Sequence, residues 1–230
     1  MKIIENLALI PARAGSKGIV NKNTYPISGK PLIEYTINSA INSKYLDEIH
    51  LSSDSNEIIN LSDKLGVKSY YLRPKNLSND TASALDVMLY HINWLKEKKN
   101  ISVENLIYLQ PTSPIRKDSL IDDAIKKFKS SNSQSLVAIC ECSQHPFETV
   151  YIKKDKIFKF PSANKYTRRQ DYPNYYFISG SIYIYKVKNL LKEKNDIHEN
   201  SDYIITSNEE GVDIDNLLDL KVAESLINNF

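Results

Sequence analysis

The chain has 230 residues, 41% of them apolar and 25% charged, a balance that supports a full hydrophobic core and excludes disorder and fibrous repeats. Its formal net charge of +2 provides no global field for nucleic acid or an anionic membrane, so any anion must be held by local basic sites. No run approaches the ~20 apolar residues of a membrane span, and the opening Met1-Lys2-Ile3-Ile4-Glu5-Asn6 lacks a leader's apolar stretch; a cytoplasmic protein that binds neither nucleic acid nor membrane is expected.

Leu7-Ala8-Leu9-Ile10 is a short apolar run followed by Pro11, which predicts a buried strand feeding a loop. Pro31 opens a helix with Ile33, Ile37, Ala40 and Ile41 at helical spacing. Glu48 to Ser52 reads as a second strand, and Ser53-Asp54-Ser55 as the cap of a helix carrying Ile58, Leu61 and Leu65 up to the terminator Gly66. Val67 to Leu72 is predicted as a third strand. Asp80-Thr81 then introduces a long helix with Leu85, Met88, Ile92 and Leu95 on one face. Leu106 to Leu109 makes a fourth strand, Asp118 caps a helix through Phe128, and Leu136 to Cys142 returns as a strand. Cys140 and Cys142 share one face of that strand, too close for an ordinary disulfide, and read as core packing in a reducing compartment.

This alternation predicts an α/β fold with an open, mainly parallel sheet flanked by helices. From Ser143 to Ile178 it breaks into short β-like pieces rich in Tyr, Lys and Pro, read as an inserted dimerisation arm. The nucleotide-binding domain is then residues 1–142 and 179–230, and the arm 143–178. Ser181 to Lys186 resumes as a strand, Gly211 to Ile214 is a short one, and Leu217, Leu220, Ala223, Leu226 and Ile227 give a closing helix.

In open α/β sheets ligands sit beyond the carboxyl ends of the strands, so the polar loops after the first, second and fourth strands should converge. Arg13 to Asn23 holds one Arg and two Lys, Lys17 and Lys22, beside glycines that let backbone amides approach a ligand. This is the outline of a triphosphate cradle, although it matches neither the P-loop nor the G-x-G-x-x-G pattern; a solvated basic turn is the plainer reading. Asp213-Ile214-Asp215 places two carboxylates on one face of an extended segment, about 7 Å apart, as oxygen ligands for Mg²⁺ or as a solvated helix cap. Arg73 and Asp80 flank a polar stretch before the long helix, whose first amides could meet a base or phosphate. Gln110-Pro111-Thr112-Ser113-Pro114-Ile115-Arg116 is a loop stiffened by two prolines. Arg168-Arg169 offers guanidinium forks for a carboxylate. His50, His91, His145 and His198 show no ligand spacing.

The loop Ile10-Pro11-Ala12-Arg13-Ala14-Gly15-Ser16-Lys17-Gly18 with Lys22-Asn23 resembles the opening signature of the acylneuraminate cytidylyltransferases, the CMP-sialic acid synthetase family. Arg73-Pro74, Ser78 to Ser83, Leu109 to Arg116, His145-Pro146, Arg169-Gln170, Gly180 to Ile184 and Val212 to Asp215 follow in the family's order. The resemblance implies a homodimer joining CMP from CTP to a nine-carbon α-keto sugar acid, with pyrophosphate released. It implies that Arg13, Gly15, Ser16, Lys17, Lys22, Asn23, Arg73, Asp80 and Ala82 bind the nucleotide. Gln110, Arg169, Phe177 and Ser179 would face the sugar, and Asp213 with Asp215 would hold Mg²⁺, or Mn²⁺ in its place. Arg13, Lys17, Asp213 and Asp215 form the expected catalytic set. Ala84 stands where such enzymes commonly have Ser, and Phe177 and Ser179 where they have Arg and Asn, which turns the expectation toward N-acetylneuraminate or a legionaminate-type acid. A D-x-D glycosyltransferase and a non-catalytic nucleotide-binding regulator are the alternatives.

Overall fold

The computed structural model describes residues 1–16, 18–159, 168–193 and 201–228; Lys17, His198 and part of the predicted arm lie outside them. In chain order the strands are β1 (Lys2–Pro11), β2 (Pro26–Ile27), β3 (Lys30–Pro31), β4 (Glu48–Ser52), β5 (Ile101–Tyr108), β6 (Ser135–Glu141), β7 (Val150–Lys153), β8 (Lys156–Lys159), β9 (Tyr176–Lys186) and β10 (Asp202–Thr206). The helices are α1 (Leu32–Asn42), α2 (Asn56–Lys64), α3 (Ala84–Lys99), α4 (Leu120–Ser130), α5 (Val187–Glu193) and α6 (Leu217–Ile227).

A six-stranded sheet in the order β10-β6-β9-β5-β1-β4 forms the centre. β1 runs parallel to β4 and β5, and β10 parallel to β6, while β9 enters antiparallel between β5 and β6. Leu7, Ala8, Leu9 and Ile10 are all fully buried because both faces of β1 are covered. Ala8 and Ile10 pack with Ile33 and Ile37 of α1, Ile58 of α2 and Leu120 and Ala124 of α4. Leu7 and Leu9 pack on the other face with Met88, Ile92 and Leu95 of α3 and Leu190 of α5. A third apolar cluster joins Ile19, Ile27 and Leu32 to Ile214, Leu220 and Ala223, which draws the C-terminal segment onto the basic loop.

Several predicted elements differ from the observed ones. Val67 to Leu72 builds no strand and meets the sheet at two single positions, His50 with Lys68 and Ser53 with Leu72, because its aromatic residues Tyr70 and Tyr71 turn toward α3. Gly211 to Ile214 is a turn closed by Gly211 N–H to Ser207 O and Val212 N–H to Glu209 O; the edge strand is β10 instead. α3 starts at Ala84 with a reciprocal cap between Ser83 and Asp86, not at Asp80, whose carboxylate faces Arg13. α4 starts at Leu120 after Ser119 rather than at a cap formed by Asp118. β9 begins at Tyr176, so Tyr176 to Ile178 pair with β6 in the main sheet although they fall inside the predicted excursion. Cys140 is buried, Cys142 half-buried, and both are free thiols.

Within the excursion, β7 and β8 form a two-stranded hairpin that pairs with neither neighbour of the main sheet. Its apolar side chains Val150, Tyr151, Ile152, Ile157 and Phe158 are exposed on both faces, with Tyr151 and Phe158 stacked across the strands at 5.4 Å. Among the described residues no helix is long and apolar enough to cross a membrane.

Candidate active site

A cavity of ≈ 280 Å³ opens beyond the carboxyl ends of β1 and β5. The basic loop supplies Arg13, Gly15, Ser16, Lys22 and Asn23; the stretch before α3 supplies Arg73, Asn79, Asp80 and Ala82; and the α3 start supplies Ser83, Ala84 and Val87. Tyr108, Gln110 and Thr112 at the end of β5 complete the wall. The loops after β1 and β5 therefore do converge. The loop after β4 stands behind them, where Asp54 Oδ1 accepts the Ala14 N–H at 2.8 Å and holds the basic loop in place.

Each cationic group in the wall has a distinct setting. Arg13 Nη1 donates to Asp80 Oδ1 at 2.8 Å, and Asn23 Nδ2 donates to the Arg13 carbonyl at 2.9 Å, which fixes the loop's backbone. Arg73 is 5% exposed; its Nε donates to Ser78 Oγ at 3.2 Å, while Nη2 lies 3.8 Å from Asp54 and has no hydrogen-bond partner. Burial pushes the Arg73 guanidinium below its ordinary pKa, against the pull of the Asp54 carboxylate. As a residue of the cavity wall, Arg73 brings a cationic group to the site.

Lys22 ties the two ends of the chain together. Its Nζ donates to the Ile214 carbonyl at 2.7 Å and to Asp215 Oδ1 at 3.2 Å, so it is a strut for the D-x-D segment as well as part of the cavity wall. Gly18 lies so close that a Cβ there would stand 1.9 Å from the Asp215 carbonyl oxygen. Ile214 is fully buried between the two carboxylates and donates its N–H to the Thr112 carbonyl at 2.8 Å, which leaves Asp213 and Asp215 directed outward beside the cavity. Asp219 Oδ2 accepts the Asp215 and Asn216 N–H groups and sets the orientation of the pair at the start of α6. Desolvation raises the Asp213 carboxyl above its usual pKa; the Thr112 hydrogen bond opposes the rise and the Asp215 charge adds to it. Among the described residues no group of three or more His, Cys, Asp or Glu side chains could hold a metal.

The residues expected to face a sugar divide. Gln110 lies in the cavity wall, and its Oε1 is 2.7 Å from where a Cβ on Gly180 would fall. The loop carrying it is held by Arg116, which is buried and donates to the carbonyls of Ser181 and Gln110 and to Thr36 Oγ1 at 2.7–2.8 Å. Burial pulls the Arg116 guanidinium down to about 9, with Glu210 opposing. Ser179 is 2% exposed and bonded to Ser181 Oγ at 2.7 Å, so its hydroxyl is engaged inside the sheet rather than free in the cavity. Phe177 is half-exposed on β9 beside Gly211, and Arg169 is exposed near Glu148; neither lines the cavity. Sequence reasoning missed Tyr108, two residues before Gln110, and Thr112, inside the same loop, as wall residues, and Asp219, whose signal was its N3 position after Asn216.

Comparison with known proteins agrees with this geometry. A family model described as cytidylyltransferase matches residues 7–222. The pseudaminic acid cytidylyltransferase of Campylobacter jejuni is 33% identical over 225 residues, 97% of this chain and 96% of that protein. The CMP-N,N'-diacetyllegionaminic acid synthase of the same species is 33% identical over 224 residues, 97% and 95% of the two chains. A solved structure of CMP:2-keto-3-deoxy-manno-octonic acid synthetase complexed with CTP superposes with a TM-score of 0.73 at 18% identity, covering 98% of this chain and 99% of that one, which is a likeness of fold. A basic loop tied to the segment of paired aspartates, on a sheet of this order and within a match spanning nearly the whole sequence, leads to one assignment: the chain belongs to the cytidylyltransferase family.

Proposed function

We propose that this chain is a CMP-nonulosonate synthetase, which transfers the cytidylyl group of CTP to a nine-carbon α-keto sugar acid. The observation that carries the reading is the junction of Lys22 and Gly18 with the Asp213-Ile214-Asp215 segment at the edge of a cavity lined by Arg13 and Arg73. In the reaction, the anomeric hydroxyl oxygen of the sugar acid forms a bond to the α-phosphorus and loses its proton, while the bond from that phosphorus to the bridging oxygen breaks and pyrophosphate leaves. Positioned cations and alignment are what such a transfer asks of a protein. Arg13 and Arg73 would bind phosphate and nucleoside oxygens; Lys17, outside the described residues, is assigned to the phosphates on sequence grounds alone. Gln110 would orient the sugar acid.

Asp213 and Asp215 would hold Mg²⁺, or Mn²⁺. The fit rests on their chemistry: two neighbouring carboxylates, one with its proton affinity raised by desolvation and by its neighbour's charge, are relieved by a divalent cation that takes its remaining ligands from water and phosphate. When bound, such an ion supplies charge stabilisation at the phosphoryl oxygens.

Relatives named for pseudaminic and legionaminic acids match at the same 33% identity, which supports the nonulosonate class rather than one member of it. The test is pyrophosphate release from CTP with N-acetylneuraminate, legionaminate, pseudaminate and an eight-carbon keto acid. Release with a nine-carbon acid is expected; selectivity for the eight-carbon acid would remove the proposed substrate class.

The partner we propose is a second copy, docked through the β7–β8 hairpin. Among the described residues the hairpin pairs with no further strand, and two strands with apolar side chains exposed on both faces are marginal in water and mark an interaction surface. Replacing Ile152 and Ile157 by Lys should yield a monomer in sedimentation; an unchanged mass would refute this docking.

A further inference from the structure

Behind Arg73, two buried histidines, the half-buried Tyr71 and one carboxylate form a single file of hydrogen bonds. Glu48 Oε2 is 2.9 Å from His50 Nε2, His50 Nδ1 is 3.0 Å from His91 Nε2, and His91 Nδ1 is 2.9 Å from the Tyr71 hydroxyl. The carboxylate end sets every tautomer. Glu48, which also pairs with Lys2, only accepts, so His50 carries its proton on Nε2 and offers Nδ1 as an acceptor. His91 must then donate from Nε2 and accept the Tyr71 O–H at Nδ1. Burial supports the neutral forms: it lowers His50, lowers His91 to about 3, and raises Tyr71 to about 12, which keeps the phenol a donor.

The file links β4 through His50, α3 through His91, and the segment 67–73 through Tyr71. That segment forms no continuous ladder; on the sheet side it is tied by Leu51 N–H to the Lys68 carbonyl at 3.0 Å and by Arg73 N–H to the Ser53 carbonyl at 2.7 Å, with Tyr70 and Tyr71 between the two ties. It carries Arg73 into the cavity, and α3 brings Ala84 and Val87 to the same cavity one turn before His91. We infer that Tyr71 and His91 are positioning residues for nucleotide binding: their hydrogen bond, with the packing of the Tyr71 ring on Trp94, holds the segment against α3 and sets where Arg73 enters the cavity wall. The inference rests on the nucleotide reading of the cavity proposed above.

The test is calorimetric binding of CTP with Mg²⁺, paired with urea denaturation and steady-state kinetics. His91→Asn keeps an acceptor near the Nδ1 position, and His91→Gln keeps a donor near Nε2 but loses the partner of Tyr71. Losing the Tyr71 bond in Tyr71→Phe or His91→Gln should weaken CTP binding about fivefold. His91→Asn should stay within about twofold, and kcat at saturating CTP should hold within about twofold in all three. Equal loss of CTP affinity in His91→Asn and His91→Gln, or parental affinity in Tyr71→Phe, overturns the inference. Arg73→Ala separates the two readings. Parental CTP affinity in that variant overturns the nucleotide role of Arg73 and the inference with it, whereas weakened binding alongside an unaffected Tyr71→Phe overturns the inference alone.

Discussion

Gly18→Ala is a stringent test of whether the basic loop and the paired aspartates act together. The added Cβ would stand 1.9 Å from the Asp215 carbonyl oxygen and 3.1 Å from its carbon, both backbone atoms that cannot rotate away. Ordinary C···O contacts lie near ~3.4 Å, so the two segments must part by about 1.5 Å. Lys22 Nζ, now 2.7 Å from the Ile214 carbonyl, would then lose that bond unless it followed the shift. The expected effect comes from this contact. A displacement of ~1 Å at a reacting centre costs about a hundredfold in rate, or ~2.7 kcal/mol. The assay is kcat/KM for pyrophosphate release, with thermal melting to establish that the variant is folded. Gly15→Ala, whose Cβ meets nothing within 4 Å, serves as the control for folding. A folded Gly18→Ala protein with turnover within about threefold of the parent would refute the coupling of loop and carboxylates.

Asp213→Ala should lower turnover at least about tenfold, ~1.4 kcal/mol of barrier, and abolish its dependence on Mg²⁺; unchanged metal-dependent turnover would remove the residue from the site. Because the Asp213 carboxyl is raised by desolvation and by Asp215, protons compete with Mg²⁺ for it as pH drops, so the affinity for the ion should fall in that direction. Asp215→Asn should move that fall to lower pH, read by calorimetry at several pH values. Gly180→Ala, at φ +75° with its Cβ 2.7 Å from Gln110 Oε1, should raise KM for the sugar acid more than KM for CTP, measured by varying each substrate in turn. His91 is depressed to about 3 in the folded chain, so the unfolded chain takes the proton first as pH falls below ~6.5. Its contribution to stability, complete above that pH, should decline by on the order of 2 kcal/mol between pH 6.5 and 5, seen as a steeper loss in urea denaturation than for His91→Phe.

The site's two ends were legible because each pairs a charged motif with a strictly apolar neighbour. Ile214 between two aspartates reads as a buried residue that turns both carboxylates outward, and it is fully buried. The sheet's parallel core was legible for a similar reason, since Leu7 to Ile10 and Leu106 to Leu109 are unbroken apolar runs. β10 was not, because Tyr203 and Ile205 are exposed although apolar, so the strand has no polar alternate to mark its outer face. Val67 to Leu72 looked like a strand by its aromatic and β-branched content, yet its rings pack on Trp94 and His91 rather than on a neighbouring strand. Ser179 looked like a ligand contact, but which face of β9 it occupies depends on the pairing with β5 and β6, and that is a tertiary fact. The His50–His91 pair, 41 residues apart, has no spacing signature at all.

The Lys22–Ile214 hydrogen bond joins residues 192 positions apart, nearly the full chain. Closing so large a loop is entropically slow, and such long-range pairings are late events on a folding route. The central strands can therefore assemble while the catalytic mouth is still unmade. Newly synthesised or partially denatured molecules would show ordinary α/β secondary structure yet ignore the triphosphate, which makes ligand capture a more faithful gauge of completed folding than circular dichroism.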